Sequence, residues 1–267
     1  MTKENKLIKR KNKKIIVIAN TSKYIFHYRL LLLNKLKKYY NDVFVIAPHD
    51  KYSESLKQIV KFKKWKVCSE NDFDQVNLIK SFYKIFKEIR SIKPDLVHSH
   101  TLKPNLIISI INFIFGINTI ISFAGLGRLS NSKGINLIIL KLILSTIYFS
   151  SFFKIENFIF IRKNYDRVKL IFQNPIDLNF FLNSLNIPNE KKIFYLIPGS
   201  GVPNKYFHSI KKYSNIRTNN FDFIYCARLE KSKGIKLFIN LSFYYPNSKF
   251  FIYGDINGIS NDYLSKD

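Results

Sequence analysis

Residues 94–123 read PDLVHSHTLKPNLIISIINFIFGINTIISF, and the order of signals in this run decides the fold. Lys93 and Pro94 stop what precedes them, because proline lacks an amide donor and restricts the residue before it. Residues 95–98 are a short strand, and the polar cluster Ser99-His100-Thr101-Leu102-Lys103-Pro104-Asn105 follows its carboxyl end. Residues 104–115 are apolar over a helical length, Gly116 and Asn118 break the run, and residues 119–123 are a second strand. Strand, helix and strand within about 30 residues make a βαβ unit, the building block of parallel sheets covered on both faces.

The alternation extends in both directions. Upstream, the sequence predicts strands over 15–19, 42–47 and 66–68, and helices over 26–39, 53–62 and 77–91. The last of these is amphipathic, with Leu78, Phe82, Ile85, Phe86 and Ile89 on one face. Downstream come a helix over 135–153, strands over 157–161 and 169–172, a helix over 177–185 and a strand over 192–197. The turn-rich Pro198-Gly199-Ser200-Gly201-Val202-Pro203 follows, and residues 211–220, polar, basic and aperiodic, read as a linker. A strand over 221–226, a helix over 234–243 and a strand over 249–253, ended by Gly254, complete the chain. This is an α/β chain whose doubly wound pattern begins twice. Its expected parts are a basic tail over 1–13, a first domain over 14–210, the linker over 211–220 and a second domain opening over 221–267. That last segment holds little more than one βαβ unit, so a C-terminally truncated second domain is expected.

Hydrophobic residues at 46% and charged residues at 23% give a globular composition and exclude disorder for the chain as a whole. Lys plus Arg total 44 against 18 Asp plus Glu, a net +26 that favours phosphorylated ligands, an acidic membrane face or nucleic acid. An A/T-rich genome would produce the same richness in Lys, Asn, Ile, Phe and Tyr, so charge alone does not choose a partner. No basic–aromatic recognition motif accompanies it, and no nucleic-acid partner is expected.

Cys68 and Cys226 match no metal or redox spacing, and a reducing, cytoplasmic setting is the simplest reading. The N-terminus MTKENKLIKRKNKK lacks the apolar core of a secretory signal and reads as a solvated tail or a weak contact with anionic lipid. Residues 106–123 and 135–153 approach the length of a membrane span. Asn112, Gly116 and Asn118 break the first, and Lys141 interrupts the second. Both read as buried helices, the second with a docking helix in the membrane interface as its alternative.

Ligands of open α/β sheets bind outside the carboxyl ends of strands. Polar clusters fall there at Asn20-Thr21-Ser22-Lys23, leading to His27 and Arg29, at Ser99 to Asn105, and at Ala124-Gly125-Leu126-Gly127-Arg128. A lone histidine at a strand end is ordinarily structural, and Gly-x-Gly is common in turns, so neither assigns a ligand by itself. The loop Ala227-Arg228-Leu229-Glu230-Lys231-Ser232-Lys233-Gly234 says more. It sets cations and a glycine at a strand-to-helix turn, where helix amides already favour a diphosphate. No Asp-x-Asp cluster stands at a strand end, and no metal is expected.

The runs PDLVHSHTLKPN (94–105), FAGLGR (123–128), IFQNPID (171–177), GSGVPNKYF (199–207) and ARLEKSKG (227–234) resemble, in order, the motifs of glycosyltransferase family 4. The nearest flavour is the sugar transferases that build glycan or polysaccharide repeat units on polyprenyl-diphosphate lipids. The resemblance implies a GT-B architecture, here a Rossmann-like N-terminal lobe with only the start of the second. It implies that Arg228 and Lys233 bind the diphosphate of a nucleotide-sugar, a UDP-sugar, and stabilise the leaving group. His100, Lys103 and Asn105 would lie at the acceptor cleft, with Gly125 and Gly127 admitting the sugar to the backbone and Ser200 and Gly201 alongside.

Retention of configuration, no protein nucleophile and no cofactor beyond the nucleotide-sugar co-substrate are likewise implied. So are a lipid-linked glycan acceptor, a peripheral place at the inner face of the cytoplasmic membrane, and a separately encoded C-terminal half. Ala124 stands where many members carry a histidine, so no catalytic residue is assigned. The family's Glu-x7-Glu element, which grips the donor sugar, falls beyond Asp267. The alternative is a non-catalytic lobe that docks on membrane or lipid diphosphate.

Overall fold

The computed structural model describes residues 12–65, 75–126, 133–156, 160–163, 167–188, 193–202, 222–229 and 231–254. The chain divides into two compact units, Met1–Val202 and Pro203–Asp267. In the first unit the strands are β1 (Lys14–Ile18), β2 (Asp42–Ala47), β3 (Lys61–Lys64), β4 (Leu96–His100), β5 (Thr119–Phe123), β6 (Phe153–Glu156), β7 (Phe160–Lys163), β8 (Val168–Phe172) and β9 (Phe194–Leu196). Seven of them form one sheet in the order β3-β2-β1-β4-β5-β8-β9, every neighbouring pair parallel. The chain order reverses between β1 and β4. That is the topological switch point, where sheets of this kind open a ligand crevice.

The helices are α1 (Ser22–Tyr28), α2 (Leu30–Tyr39), α3 (Ser53–Lys57), α4 (Gln75–Ile92), α5 (Leu102–Phe115), α6 (Ile135–Phe152) and α7 (Pro175–Ser184). Why the sheet needs helices on both faces is legible in β1, whose Ile15, Ile16, Val17 and Ile18 are all buried. Ile15 and Val17 share a core with Ile25, Leu33 and Leu56 from α1 to α3. Ile16 and Ile18, on the opposite face, share one with Ile85, Ile89, Ile108 and Ile111 from α4 and α5. A third cluster joins Phe123, Leu170 and Phe172 to Leu140, Leu144 and Ile147 of α6 and Phe181 of α7.

Four expectations are corrected. The helix expected over 26–39 is two, because Arg29, at φ −125° and ψ 2°, breaks it between α1 and α2. The helix expected over 53–62 ends at Lys57, and residues 61–64 pair with β2 as the third strand. A strand over 66–68 lies outside the described residues. β3 is an edge, so its KFKK sequence needs no apolar face, and its lysines discourage pairing with another chain. β4 runs two residues further than expected, which takes Ser99 and His100 into the strand beside His98. Finally, residues 157–159 lie outside the described residues, and β6 and β7 on either side form an antiparallel pair apart from the main sheet.

The second unit contains β10 (Phe223–Cys226), a 3-10 turn (Lys231–Lys233), α8 (Ile235–Tyr244) and β11 (Phe250–Tyr253). β10 and β11 are parallel neighbours, so the described residues of the unit make one βαβ. Gly254 is required there, since a Cβ would stand 2.2 Å from the Ala227 carbonyl oxygen. The expected tail, up to residue 11, and the linker over 211–220 lie outside the described residues.

Candidate active site

The strand period of two points His98 and His100 to one side of β4, with ring centroids 4.1 Å apart. A His98 ring nitrogen, Nε2, lies 2.8 Å from Ser122 Oγ on β5. His100 Nδ1 accepts a hydrogen bond from Arg29 Nε at 3.3 Å. Arginine has only donors, so the His100 proton sits on Nε2, and that nitrogen is buried without a partner. Burial, reinforced by the Arg29 charge, pushes the His98 imidazole down to about 3. Burial, then His98, then Arg29 hold His100 well below its ordinary value. Both rings are neutral near pH 7.

Arg29 reaches this cluster from the α1–α2 break and is 5% exposed. Its Nη1 donates to the Tyr28 carbonyl at 3.1 Å and to Ser200 Oγ at 2.7 Å. Its guanidinium carbon lies 5.1 Å from the centroid of the Tyr24 ring, a cation–π distance. The Tyr24 hydroxyl is buried without a partner, and burial raises its pKa against the pull of Arg29. Thr101 follows at φ 71° and ψ 154°, a conformation that costs a β-branched residue about 1–3 kcal/mol. Its hydroxyl accepts from the Asn20 amide at 3.3 Å and donates to the His100 carbonyl, so it ties the ends of β1 and β4 together.

Of the residues singled out in sequence, His100 and Ser200 converge on Arg29. Asn105, in the first turn of α5, donates from Nδ2 to the Ser122 carbonyl at 3.1 Å, and its Oδ1 is buried without a partner. Lys103 is buried. Gly125 turns the chain after β5 at φ 124°, and Gly127 lies outside the described residues. Gly199 and Gly201 flank Ser200 at φ 65° and 78°, with nothing within 4 Å of a built Cβ on either. The Asn174–Asp177 motif is structural: Asn174 Oδ1 caps α7 by accepting the Asp177 amide at 2.7 Å. Arg29 was visible in sequence only as a residue beyond the first strand. Its partners lie 71 and 171 positions away, and no local pattern announces them.

In the second unit, Arg228 and Lys233 are exposed between β10 and α8. The Arg228 carbonyl accepts the Tyr225 hydroxyl at 2.9 Å, which anchors the turn from below. Gly234, at φ 79°, precedes α8 and supplies no side-chain cap, and the first turn of α8 carries no acidic residue. The helix amides, with Lys233 directly ahead of the Gly234 N-cap and Arg228 earlier in the same turn, therefore suit an anion. Among the described residues no three His, Cys, Asp or Glu side chains group as metal ligands.

A profile of the family described as "Glycosyl transferase 4-like" matches residues 14–174. No curated protein sequence matches the chain. Among solved structures, Anabaena HepE in complex with UDP-glucose superposes with a TM-score of 0.60 at 15% identity, over 94% of this chain and 63% of that one. Sucrose-phosphate synthase from Thermosynechococcus elongatus gives 0.62 at 11% identity, over 94% and 64%. UDP-GlcNAc 2-epimerase from Neisseria meningitidis, bound to UDP-GlcNAc, gives 0.52 at 18% identity, over 91% and 66%. The chain thus spans about three fifths of the length of the structures it resembles, and at these identities the likeness is one of fold, a Rossmann-like lobe of the GT-B type. The profile covers more than half of the 267 residues, and the chain belongs to the glycosyl transferase 4-like family.

Proposed function

We propose that the chain is the acceptor-side part of a retaining glycosyltransferase that moves a hexosyl or N-acetylhexosaminyl group from a UDP-sugar to a lipid-linked or polysaccharide acceptor. The observation that carries this is the turn between β10 and α8, which holds Arg228 and Lys233 and leads into an uncapped helix N-terminus, in a chain of this family. HepE, of similar fold, has been solved with UDP-glucose and with UDP, which supports a nucleotide-sugar as the donor.

In the reaction, the bond from sugar C1 to the diphosphate oxygen breaks as the acceptor hydroxyl oxygen bonds to C1 on the same face. The hydroxyl proton passes to the departing diphosphate. Arg228 and Lys233 stabilise the charge that grows on that leaving group, ordinarily the largest catalytic contribution. No metal and no protein nucleophile take part in the proposed step. The acceptor would sit against the first unit, where Ser200, His100 and Asn105 offer polar atoms near the switch point. Its lipid anchor would keep the enzyme at the cytoplasmic face of the membrane.

The test is transfer of labelled sugar from UDP-sugars to polyprenyl-diphosphate-linked acceptors, by the chain alone and with a family donor lobe supplied in trans. Arg228→Ala should lower the rate at least about a hundredfold, the scale of losing one preorganised donor to developing charge. A wild-type rate in that variant removes the donor turn from the mechanism. Membrane binding without turnover in any combination favours instead a non-catalytic docking lobe.

A further inference from the structure

An arginine stays protonated at any physiological pH, and a buried guanidinium without a counter-charge costs several kcal/mol. Arg29 is such a group. Among the described residues its partners are a backbone carbonyl, a serine hydroxyl, a neutral imidazole and a tyrosine face, and no carboxylate pairs with it. The histidines beside it cannot share or relieve the charge, because burial keeps both neutral.

The polar groups left over around Arg29 can all donate a hydrogen bond. His100 Nε2–H is a donor without an acceptor, and the Tyr24 hydroxyl is buried without a partner. Ser200 Oγ already accepts from Arg29, so its own proton is available to donate. Donors around a buried positive charge call for a partner made only of acceptors. Two further features mark the place as built to receive one. It lies at the switch point of the sheet, and Thr101 is held there in a strained conformation.

We propose that Tyr24, Arg29, His100 and Ser200 form an anion subsite in the first unit that takes a phosphate group of a diphosphate. The choice of diphosphate rests on the glycosyltransferase reading; the need for an anion does not. The diphosphate has two sources in that reaction, the prenyl-linked acceptor and the nucleotide donor, and they share the chemistry that Arg29 would grip.

The experiment uses the full chain carrying Arg228→Ala, which silences the other proposed diphosphate turn, and follows the His100 imidazole signals by NMR together with the melting midpoint. The probes are inorganic pyrophosphate, farnesyl diphosphate and UDP. Pyrophosphate is expected to raise the midpoint and to move the His100 titration upward by at least about one pH unit, because an adjacent anion favours the imidazolium. A response to farnesyl diphosphate but not UDP assigns the subsite to the acceptor, and the reverse assigns it to the donor. Arg29→Gln should abolish both responses. If that variant does not fold, Arg29→Lys keeps the charge but loses the fork, and should bind pyrophosphate at least tenfold more weakly.

The inference is overturned if saturating pyrophosphate leaves the His100 signals unmoved, or if a folded Arg29 variant binds as the parent does. The +26 surface will attract pyrophosphate elsewhere, which is why His100 and not bulk affinity is the readout. Binding at His100 with no sugar transfer under any condition would leave this subsite standing and remove the proposed function, so the two fail separately.

Discussion

At the scale of single residues, the pair on β4 makes the fold sensitive to acid. His98 is held at about 3 by burial and by Arg29, against about 6.5 in an unfolded chain. Above pH 6.5 both states carry a neutral ring, and the stabilisation is complete. Between pH 6.5 and about 3 the unfolded chain takes up a proton that the folded chain refuses, so stability falls as pH falls. At pH 5 the loss is roughly 2 kcal/mol per histidine held fully neutral. Urea unfolding at pH 7 and pH 5 should show this, and His98→Gln, which keeps a partner for Ser122, should remove about half of the histidine-dependent drop. Equal pH sensitivity in parent and variant would mean that His98 is protonated in the folded state. Sequence gave His100 and Ser200 as members of separate motifs, each at a carboxyl-side turn. That Arg29 joins them was not legible, because a helix break is decided by what the side chain meets in space. Here it meets groups on β4 and beyond β9.

Among elements, α5 is buried over most of its length, whereas α6, long and apolar enough to cross a membrane, is buried along one side only. Asn112, in the last turn of α5, donates from Nδ2 to the carbonyls of Ser150 and Ser151 at 3.3 and 2.9 Å, where α6 ends. Those carbonyls have no partner inside their own helix, so the asparagine that broke the apolar run in sequence is a cap for a neighbour. Ser109 and Ser150 add a hydroxyl bridge at 3.0 Å between the same helices. The outer side of α6 is different. Ile135, Ile138, Ile139, Leu142 and Phe149 recur at helical spacing and are exposed, with Ile138 at 61% and Leu142 at 67%. Lys133 and Lys141 are exposed on the same stretch. A stripe of this kind suits the interface of an anionic bilayer. The chain should co-sediment with vesicles containing acidic phospholipid, and Ile138→Ser with Leu142→Ser should weaken that partition at least about tenfold, since burying each side chain contributes about 1–2 kcal/mol. Neither residue lies in the core, so the variant should melt as the parent does. Undiminished sedimentation of the variant would leave surface charge as the whole of the attraction.

For the molecule as a whole, what could be read in advance was the parallel sheet, because its inner strands are buried on both faces and their apolar runs say so directly. What could not was β3, whose single partly buried Phe62 leaves no pattern to detect, and the antiparallel pair of β6 and β7. The same contrast in burial governs how the two units fold. All three core clusters belong to the first unit. In the second, Tyr225 and Ile235 are the buried hydrophobics among the described residues, while Ile224, Leu237, Phe243 and Tyr253 are at least 60% exposed. Among the described residues, one βαβ with so little buried area does not offset the entropy of ordering its chain. The protein cut after residue 202 should therefore keep its near-ultraviolet dichroism and a single cooperative unfolding transition. Residues 203–267 alone should show no cooperative transition. Because Ser200 lies inside the cut, the first unit should also retain the His100 response to pyrophosphate, and loss of that response in a folded 1–202 protein would mean that the second unit supplies part of the subsite.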